Sequence, residues 1–308
     1  MNAKKEKVFY KYKSLEGKSK ENVITSIRDS YFYFSSPEQL NDNFETYVKI
    51  DFTGTDEQKI AWARECYTYN QYISGNIPQA NIDYARKRFS PETEIRQFNK
   101  CLASDLMAPD QELLEFANEN EKAIKDNNQL FVKTNTLGIL SLTPDCLNEL
   151  MWAHYGNSGF GVCLGYSLKK KKYGYFLPLK IDEIPEYHGQ YIQKVKYTRE
   201  RKTFRIYDYD NPLETMSWIY GAYYKTDNWK YENEYRCVLS ESFLQKDGNY
   251  RKICYAKEIL TEVIFGYKVE QNDINEIKEL VREVYGNKVL FYKIQLEIGD
   301  GRLSKILV

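Results

Sequence analysis

The stretch "LMWAHYGNSGFGVCLGY", residues 150–166, places the end of a helix directly before a strand. Leu147, Leu150 and Met151 are spaced as one apolar side of a short helix, and His154 falls on the same side at the next turn. Gly156 stands where helices commonly end on a glycine. The segment "FGVCLGY" that follows is short and apolar, as is typical of a buried strand. Such a joint either closes part of the core or forms the wall of a ligand pocket.

Composition narrows the class of protein. The 308 residues carry a net charge of 0 and are 42% hydrophobic, which favours a folded domain and argues against a surface built to grip nucleic acid. No apolar run approaches the roughly 18 residues that span a bilayer, and "MNAKKEKVFY" lacks the apolar region of a signal peptide. Six scattered cysteines without a CxxC pair, and two histidines, do not indicate a metal site. We therefore expect a cytoplasmic protein with reduced cysteines and no membrane contact.

Short strands and helices alternate irregularly along the chain. Aromatic, alternating segments predict strands at Val8–Tyr12 and Thr136–Leu142, and "YENEYRCVL" reads as a later strand. Thr143 is expected to cap the short helix that precedes the opening stretch. The apolar spacing in "NDINEIKELVREVYG" predicts a helix before the last long strand. Because strands and helices mix without regular βαβ alternation, the predicted class is α+β.

Residues 56–127 have a different character, since helix signals dominate there. Ser90 followed by Pro91 is a typical helix start, and Asp110 is expected to begin a further helix. The sequence thus predicts a core domain of residues 1–55 and 128–308 with a helical insertion at 56–127. A second helix is expected from about Pro212 to Tyr224.

The segment "WKYENEYR" (residues 229–236) contains two closely spaced carboxylates. On a strand, Glu232 and Glu234 would share one face at roughly 6.5–7 Å. Mutual repulsion raises the pKa of one carboxyl in such a pair, which suits acid–base work or the stabilisation of an oxocarbenium ion on a sugar. The alternative is a solvated acidic face on an edge strand, with Arg236 or Lys230 as counter-charge.

Other polar residues on strands are weaker candidates for a site. Lys11, on the first strand beside Tyr12, could hold a phosphate or a ribose, although a lysine there could also simply reach solvent. Ser141 and Thr143 share one face at the end of a strand, where Thr143 could act only as a helix cap. The run Lys169–Lys172 has aromatic neighbours and could touch nucleic acid, but a solvated loop or strand end is the alternative.

Several of these stretches together resemble a bacterial family of uncharacterised proteins, the domain of unknown function 2971 family. The matching pieces are the opening stretch, "YKYKS", "YFYFSSPEQLNDNFE", "KVKY", "YENEYR" and "EVIFGY". They occur in the family's order and cover most of the chain outside the helical insertion. Lys13 stands where the family usually has Arg, and Asn43 stands where it usually has Pro. The resemblance implies a common fold but no particular chemistry.

The order of the polar residues also resembles the pattern of ADP-ribosyltransferases. That resemblance implies a strand-built cleft in which Lys11 binds NAD and Ser141 and Thr143 support the nicotinamide ribose. It further implies that Glu234 engages a ribose hydroxyl as the essential residue, while Glu232 orients an acceptor or water. Lys11 stands where this class commonly has Arg or His.

The same resemblance implies an aromatic surface for the nicotinamide ring and a polar rim. Trp152 or Tyr155 would stack on the ring, which would make the helix end of the opening stretch a wall of the pocket. The loop "LNDNFE" would supply the rim. The residues implied in NAD binding, besides those above, are Tyr12, Asn41, Asp42, Glu45, Trp152, His154 and Tyr155.

The function predicted on this basis is NAD-dependent ADP-ribosyl transfer or NAD hydrolysis, in a toxin or phage-defence effector. NAD would be the substrate, with an unknown protein or nucleic acid as acceptor. Two alternatives stay open. One is a non-catalytic module that recognises a nucleotide or a protein through the same cleft. The other is an effector that binds nucleic acid, which a steep dependence of affinity on salt would reveal.

Overall fold

The described part of the chain contains more strands than helices. The computed structural model describes residues 6–42, 46–73, 108–126, 131–133, 137–171, 174–180, 191–200, 203–207, 221–240, 244, 251–297, 299 and 301–308. The strands in these ranges are β1 (Glu6–Lys13), β2 (Tyr31–Tyr33), β3 (Tyr47–Asp51), β4 (Phe131–Lys133), β5 (Leu137–Leu142), β6 (Val162–Lys171), β7 (Gly174–Phe176), β8 (Tyr191–Lys194), β9 (Lys196–Thr198), β10 (Thr203–Arg205), β11 (Tyr224–Thr226), β12 (Tyr235–Ser240), β13 (Lys252–Cys254), β14 (Leu260–Phe265), β15 (Leu290–Glu297) and β16 (Arg302–Leu307).

Helices connect and cover these strands. They are α1 (Lys18–Arg28), α2 (Asp56–Ile73), α3 (Asp110–Asp126), α4 (Glu149–His154) and α5 (Gln271–Tyr285), with short 3₁₀ turns at Pro37–Gln39, Asn157–Gly159, Asp227–Glu232, Lys257–Ile259 and Gly286–Lys288. None of the helices in the described ranges is both long and apolar enough to cross a membrane.

One large sheet organises the described strands. Nine of them join in the order β16-β15-β14-β6-β7-β8-β12-β5, with β1 paired to β6. Every pairing in this sheet is antiparallel except that of β14 with β15, which are parallel and are linked through α5. A parallel pair needs such a crossover, and Ile274, Ile277 and Val281 bury one side of α5 at helical spacing. The predicted α+β class is confirmed.

The first and fifth strands meet at one point of this sheet. The Tyr10 amide donates to the Thr143 carbonyl at 2.7 Å, and the Thr143 amide donates to the Tyr10 carbonyl at 3.0 Å. Beside this point lie Lys11, which follows Tyr10, and Ser141, which precedes Thr143. Their strands pair with different neighbours, β1 with β6 and β5 with β12. The strands therefore close together at Tyr10 and Thr143, and polar side chains from both can face a common space.

Apolar side chains bury both faces of the sheet. On one face, α1 and α5 contribute Ile27 and Ile277 to a cluster that contains Phe9 of β1. On the other face, Trp152 of α4 packs in a cluster with Tyr12 of β1. Because side chains alternate along a strand, β1 supplies both clusters from successive residues. This alternation fixes which face each polar residue of β1 takes.

The chain divides into two compact units. The first contains residues 1–45, 135–199 and 222–308, and so holds the large sheet. The second contains residues 46–134 and 200–221, with α2, α3 and a three-stranded sheet in the order β10-β3-β4. Within it, small and apolar side chains of α2 and α3 pack together, namely Ala63, Leu113 and Ala117.

Two helices expected from the sequence fall partly or wholly outside the described residues. The helix predicted from Ser90 lies entirely outside them. The helix predicted from Pro212 to Tyr224 lies mostly outside them, and its last residue, Tyr224, is instead the first residue of β11. That end of the prediction was wrong, since Tyr224 pairs in parallel with Lys196 of β9.

Candidate functional site

A cavity of about 220 Å³ lies where β1 and β5 meet. Every residue that lines it belongs to the first unit. The centre of β1, the end of β5 and the Glu232–Glu234 segment, which are far apart in sequence, all reach this space. The polar side chains that matter for its chemistry are Lys11, Asn41, Ser141, Tyr155, Lys225, Glu232, Glu234 and Arg236.

The glutamate pair does not lie on a strand, which corrects the sequence prediction. Glu232 ends the 3₁₀ turn Asp227–Glu232, and Asn233 adopts a left-handed conformation with φ of 45°. Strand β12 starts only at Tyr235. The reversal at Asn233 brings both carboxylates to the cavity by a turn instead of by strand alternation. Asparagine tolerates this conformation better than most residues do.

Arg236 binds Glu234 through two hydrogen bonds. Its Nε donates to one carboxylate oxygen at 2.7 Å and its terminal nitrogen donates to the other at 2.8 Å. Both side chains are buried, and Arg236 is 0% exposed. The guanidinium also donates to the Ala222 carbonyl. Such a bidentate pair is directional and holds both partners in place.

Lys225 connects the two carboxylates. Its ammonium lies 2.7 Å from Glu232 and 3.6 Å from Glu234, and all three side chains are buried. Strand β11 carries Lys225 opposite Tyr197 of β9, whose hydroxyl accepts a hydrogen bond from the Glu234 amide at 2.8 Å. The backbone pairing of two short strands therefore places the cation between the carboxylates.

The second oxygen of Glu232 accepts a hydrogen bond from the Tyr155 hydroxyl. That hydroxyl in turn accepts one from the Asn41 amide at 2.6 Å. Asn148, which caps α4, donates its side-chain amide to the Tyr231 carbonyl at 2.8 Å and so ties the helix to the 3₁₀ turn. The end of α4 and the turn that carries Glu232 are thus held together at the cavity.

Burial shifts the pKa values of this ion network. It raises the pKa of Glu234; the nearby Glu232 acts in the same direction, and Lys225 opposes them. Burial also lowers the pKa of Arg236 to about 9, against the opposing charge of Asp42. For Lys225, the charges of Glu234 and Glu232 outweigh burial and raise the pKa. Desolvation is costly for each group, and mutual pairing offsets that cost.

Lys11 is held differently. Its ammonium donates to the Ser141 carbonyl at 3.1 Å, which is its one hydrogen bond within the described residues. Burial lowers the pKa of Lys11, and the charge of Arg236 adds to the decrease while Glu234 and Glu232 oppose it. The ammonium therefore reaches the cavity without an ion-pair partner among the described side chains.

The comparisons with known proteins give one match. Residues 151–237 match the model of a protein family of unknown function, DUF2971. The family resemblance predicted from the sequence is confirmed over this segment. No curated protein and no solved structure matches the chain. The resemblance to ADP-ribosyltransferases stays a prediction.

The DUF2971 segment contributes most of the ion network. It includes Tyr155, Lys225, Glu232, Glu234 and Arg236. Lys11, Asn41 and Ser141 come from outside it, on β1, the loop after Pro37–Gln39 and β5. The cavity is therefore built partly by the matched segment and partly by strands that precede it in the chain.

At the start of the DUF2971 segment, Trp152 is a core residue and does not line the cavity. Its ring is 1% exposed, and its indole nitrogen donates to the Cys146 carbonyl at 2.9 Å. It packs edge-on against Tyr12 at 5.0 Å between ring centroids. Tyr12 itself borders the cavity but is also largely buried, with its hydroxyl bonded to the Asp145 carbonyl at 2.9 Å. The expectation that Trp152 stacks on a ligand was wrong for this geometry.

The predicted apolar side of α4 was right only at Met151, which is buried. Leu147, Leu150 and His154 are exposed, with Leu150 48% accessible. The buried side instead carries Trp152, with Tyr155 at the cavity. The helix also starts later than predicted: the Asn148 side chain accepts from the Met151 amide at 3.1 Å, so Asn148 and not Thr143 is the N-cap, and Leu147 precedes the helix. Thr143 is buried beside the cavity.

The predicted rim and the basic run have mixed outcomes. Asn41 is on the rim through its bond to Tyr155, and Asp42 is buried close enough to influence Arg236. Glu45 lies outside the described residues. Lys169–Lys171 are exposed at the end of β6, and Lys172 also lies outside the described residues.

Sequence reasoning missed Lys225 altogether. It stands seven residues before Glu232, and neither strand nor helix spacing brings two side chains at that separation into contact. The contact exists because β11 pairs with β9 and a 3₁₀ turn then reverses the chain. Arg236, by contrast, was foreseen as a counter-charge, because a cation two residues from Glu234 is a local feature.

Proposed function

We propose that the cavity binds NAD and cleaves the bond between nicotinamide and ribose, by ADP-ribosyl transfer to an acceptor or by hydrolysis. The observation that carries the proposal is the convergence of Lys11, Ser141 and the glutamate pair on one cavity. An ADP-ribosyltransferase-like arrangement requires these groups to meet. The protein would act in the cytoplasm as a toxin or phage-defence effector.

Of the two carboxylates, Glu232 is the better candidate to face the ribose. Cleavage of the glycosidic bond develops positive charge on the sugar, which a carboxylate stabilises. Each oxygen of Glu232 accepts one hydrogen bond, from Tyr155 or from Lys225, and keeps further acceptor capacity. Both oxygens of Glu234 are engaged by Arg236, and Lys225 is a second partner. We therefore assign Glu232 to the ribose and Glu234 to holding the network.

Three further side chains of the cavity suit the nicotinamide ribose end of NAD. Tyr155 presents an aromatic ring on the wall, and Asn41 lies beside its hydroxyl. Lys11 offers an ammonium for a phosphate or a ribose oxygen. At about 220 Å³, the cavity is below the about 300–1,000 Å³ typical of whole-ligand pockets, so it would hold the nicotinamide ribose while the rest extends outward.

The test measures, by chromatography, how fast the purified chain releases nicotinamide from NAD. With activity present in the wild type, Glu232→Gln should lower the rate by about 10²–10³, because it removes the charge that stabilises the oxocarbenium ion. Glu234→Gln is the matched control: it should chiefly lower the melting temperature. Wild-type protein that releases no nicotinamide above a protein-free blank, across a panel of acceptors, contradicts the proposal. So does a fully active Glu232→Gln.

A second candidate is a non-catalytic module that recognises a nucleotide in the same cavity. The completeness of the ion network favours it, since Lys225 and Arg236 already neutralise both carboxylates. Calorimetry with NAD and with ADP-ribose separates the two functions. Binding of both ligands without nicotinamide release supports the recognition module, and turnover excludes it.

A further inference from the structure

Lys11 differs from the other charged side chains that line the cavity. Lys225, Glu232, Glu234 and Arg236 each form at least one ion pair at 2.7 Å. Lys11 instead has a neutral partner, the backbone carbonyl of Ser141 at 3.1 Å. The nearby carboxylates are held by the other two cations. Lys11 therefore forms no direct ion pair among the described side chains, although the charges of Glu234 and Glu232 still act on it.

The surroundings of Lys11 lower the pKa of its amine. Its side chain is half-buried between two strands, where a charged ammonium is poorly solvated. Arg236 repels a second positive charge from within the cavity and so adds to the decrease. Glu232 and Glu234 act in the opposite direction. A desolvated lysine beside other cations is a common form of an activated amine nucleophile.

The cavity also indicates what such an amine would meet. Its walls offer hydroxyl, amide and carboxylate groups from Tyr155, Asn41 and Glu232, which suit a ligand with several hydroxyl groups. Its volume of about 220 Å³ is suited to a molecule of the size of a sugar. We propose that Lys11 forms an imine with the aldehyde carbon of a polyhydroxylated aldehyde, such as an open-chain aldose, that enters this cavity.

The chemistry is balanced without any oxidant or reductant. The lone pair of the Lys11 nitrogen attacks the carbonyl carbon, and the carbonyl oxygen gains a proton to give a carbinolamine. The nitrogen then loses its second proton while the hydroxyl leaves as water, and a carbon–nitrogen double bond forms. The hydroxyl of Tyr155, hydrogen-bonded to Glu232 in the same cavity, is placed to relay the proton. The step requires no NAD, so it stands or falls apart from the proposed function.

The experiment traps the imine by reduction. Wild-type protein is incubated with ribose 5-phosphate or glycolaldehyde and sodium cyanoborohydride, and labelled lysines are located by peptide mass spectrometry. Lys11 should be labelled at least about tenfold faster than Lys13, which shares its strand face and whose pKa burial likewise lowers, to about 8, but which does not line the cavity. Exposed Lys169 serves as a second reference. The preference for Lys11 should disappear in urea, because it depends on the folded cavity.

Matched variants sharpen the result. Lys11→Arg keeps the positive charge but cannot form an imine, and it should lose the fast labelling while retaining its melting temperature. Lys13→Arg should retain the fast labelling of Lys11. Labelling of Lys11 at the same rate as Lys13 and Lys169, or an unchanged preference in urea, overturns the inference. If Lys11→Arg melts early, Ser141→Ala, which leaves the lysine intact, must still show the fast labelling.

Discussion

The two sides of the cavity are held by different kinds of interaction. On the side of the DUF2971 segment, Lys225, Glu232, Glu234 and Arg236 form a buried network in which every charge has a partner. On the β1 side, Lys11 has only a backbone carbonyl among the described residues. A fully paired network maintains shape, whereas an incompletely paired cation is available to a ligand. The Glu234–Arg236 pair therefore maintains the shape of the cavity, whereas Lys11 and Glu232, whose oxygens keep acceptor capacity, face the ligand.

The largest effect should come from removing the guanidinium on the paired side. Arg236→Met leaves Glu234 buried without its bidentate partner, and loss of one member of a buried pair costs about 3–5 kcal/mol of unfolding free energy. Urea titration at neutral pH measures the loss. The double variant with Glu234→Gln should recover part of it. A cost below about 1 kcal/mol for Arg236→Met would show that the network does not hold this side of the cavity.

Trp152 and Tyr155 lie within and at the end of α4, but only Tyr155 lines the cavity, and Trp152 is buried in the core. Trp152→Ala removes a core ring and should cost about 3–5 kcal/mol. Affinity for NAD in the remaining folded protein should not change, because the ring does not line the cavity. Denaturant melts and calorimetry together check this. A strong loss of affinity with little loss of stability would return Trp152 to the pocket wall.

Tyr155→Phe tests the link between the aromatic wall and the ion network. It removes the hydroxyl that donates to Glu232 and accepts from Asn41. A buried acceptor that loses one donor costs about 1–3 kcal/mol, and Glu232 keeps Lys225, so we expect the lower half of that range. Melting curves give the result. A cost equal to that of Arg236→Met would mean that the wall and the network are one unit.

The smallest effect on stability at neutral pH should come from Lys11. Lys11→Met removes a desolvated amine without breaking an ion pair, so stability should change by about 1 kcal/mol or less, in either direction. Lys11→Met must also alter how the free energy of unfolding depends on pH. The pKa of Lys11 is lowered in the folded state, so the unfolded chain binds more protons between that pKa and the ordinary lysine value of 10.5.

Wild-type stability relative to Lys11→Met should therefore rise with pH up to about 10.5 and then level off. Contributions from the many buried tyrosines cancel in this difference. Urea titrations of both proteins at a series of alkaline pH values measure it. A difference that is constant with pH would show that Lys11 is not desolvated, and it would remove the contrast between the two sides.

Sequence periodicity predicted several of the strands that build the sheet, including β1 and β5, because alternation of side chains is a local property, but it did not predict β16. It also identified Lys11, Ser141 and the glutamate pair, all of which line the cavity. It failed where chain reversal decides the geometry: Asn233 turns the glutamate pair, and pairing of β11 with β9 delivers Lys225. In α4, helical spacing alone could not show which of two adjacent sides is buried: Met151 and Trp152 face the core, whereas Leu150 is exposed.

The most direct test of the central claim is a crystal structure of the chain soaked with NAD. The account predicts ligand density in the cavity between β1 and β5, with the ribose facing Glu232 and a ligand oxygen within hydrogen-bonding distance of Lys11. The Glu234–Arg236 pair should remain closed. Ligand bound elsewhere, or an opened Glu234–Arg236 pair with Glu234 on the ribose, would contradict the assignment of Glu234 and Arg236 to structure and of Glu232 and Lys11 to ligand contact.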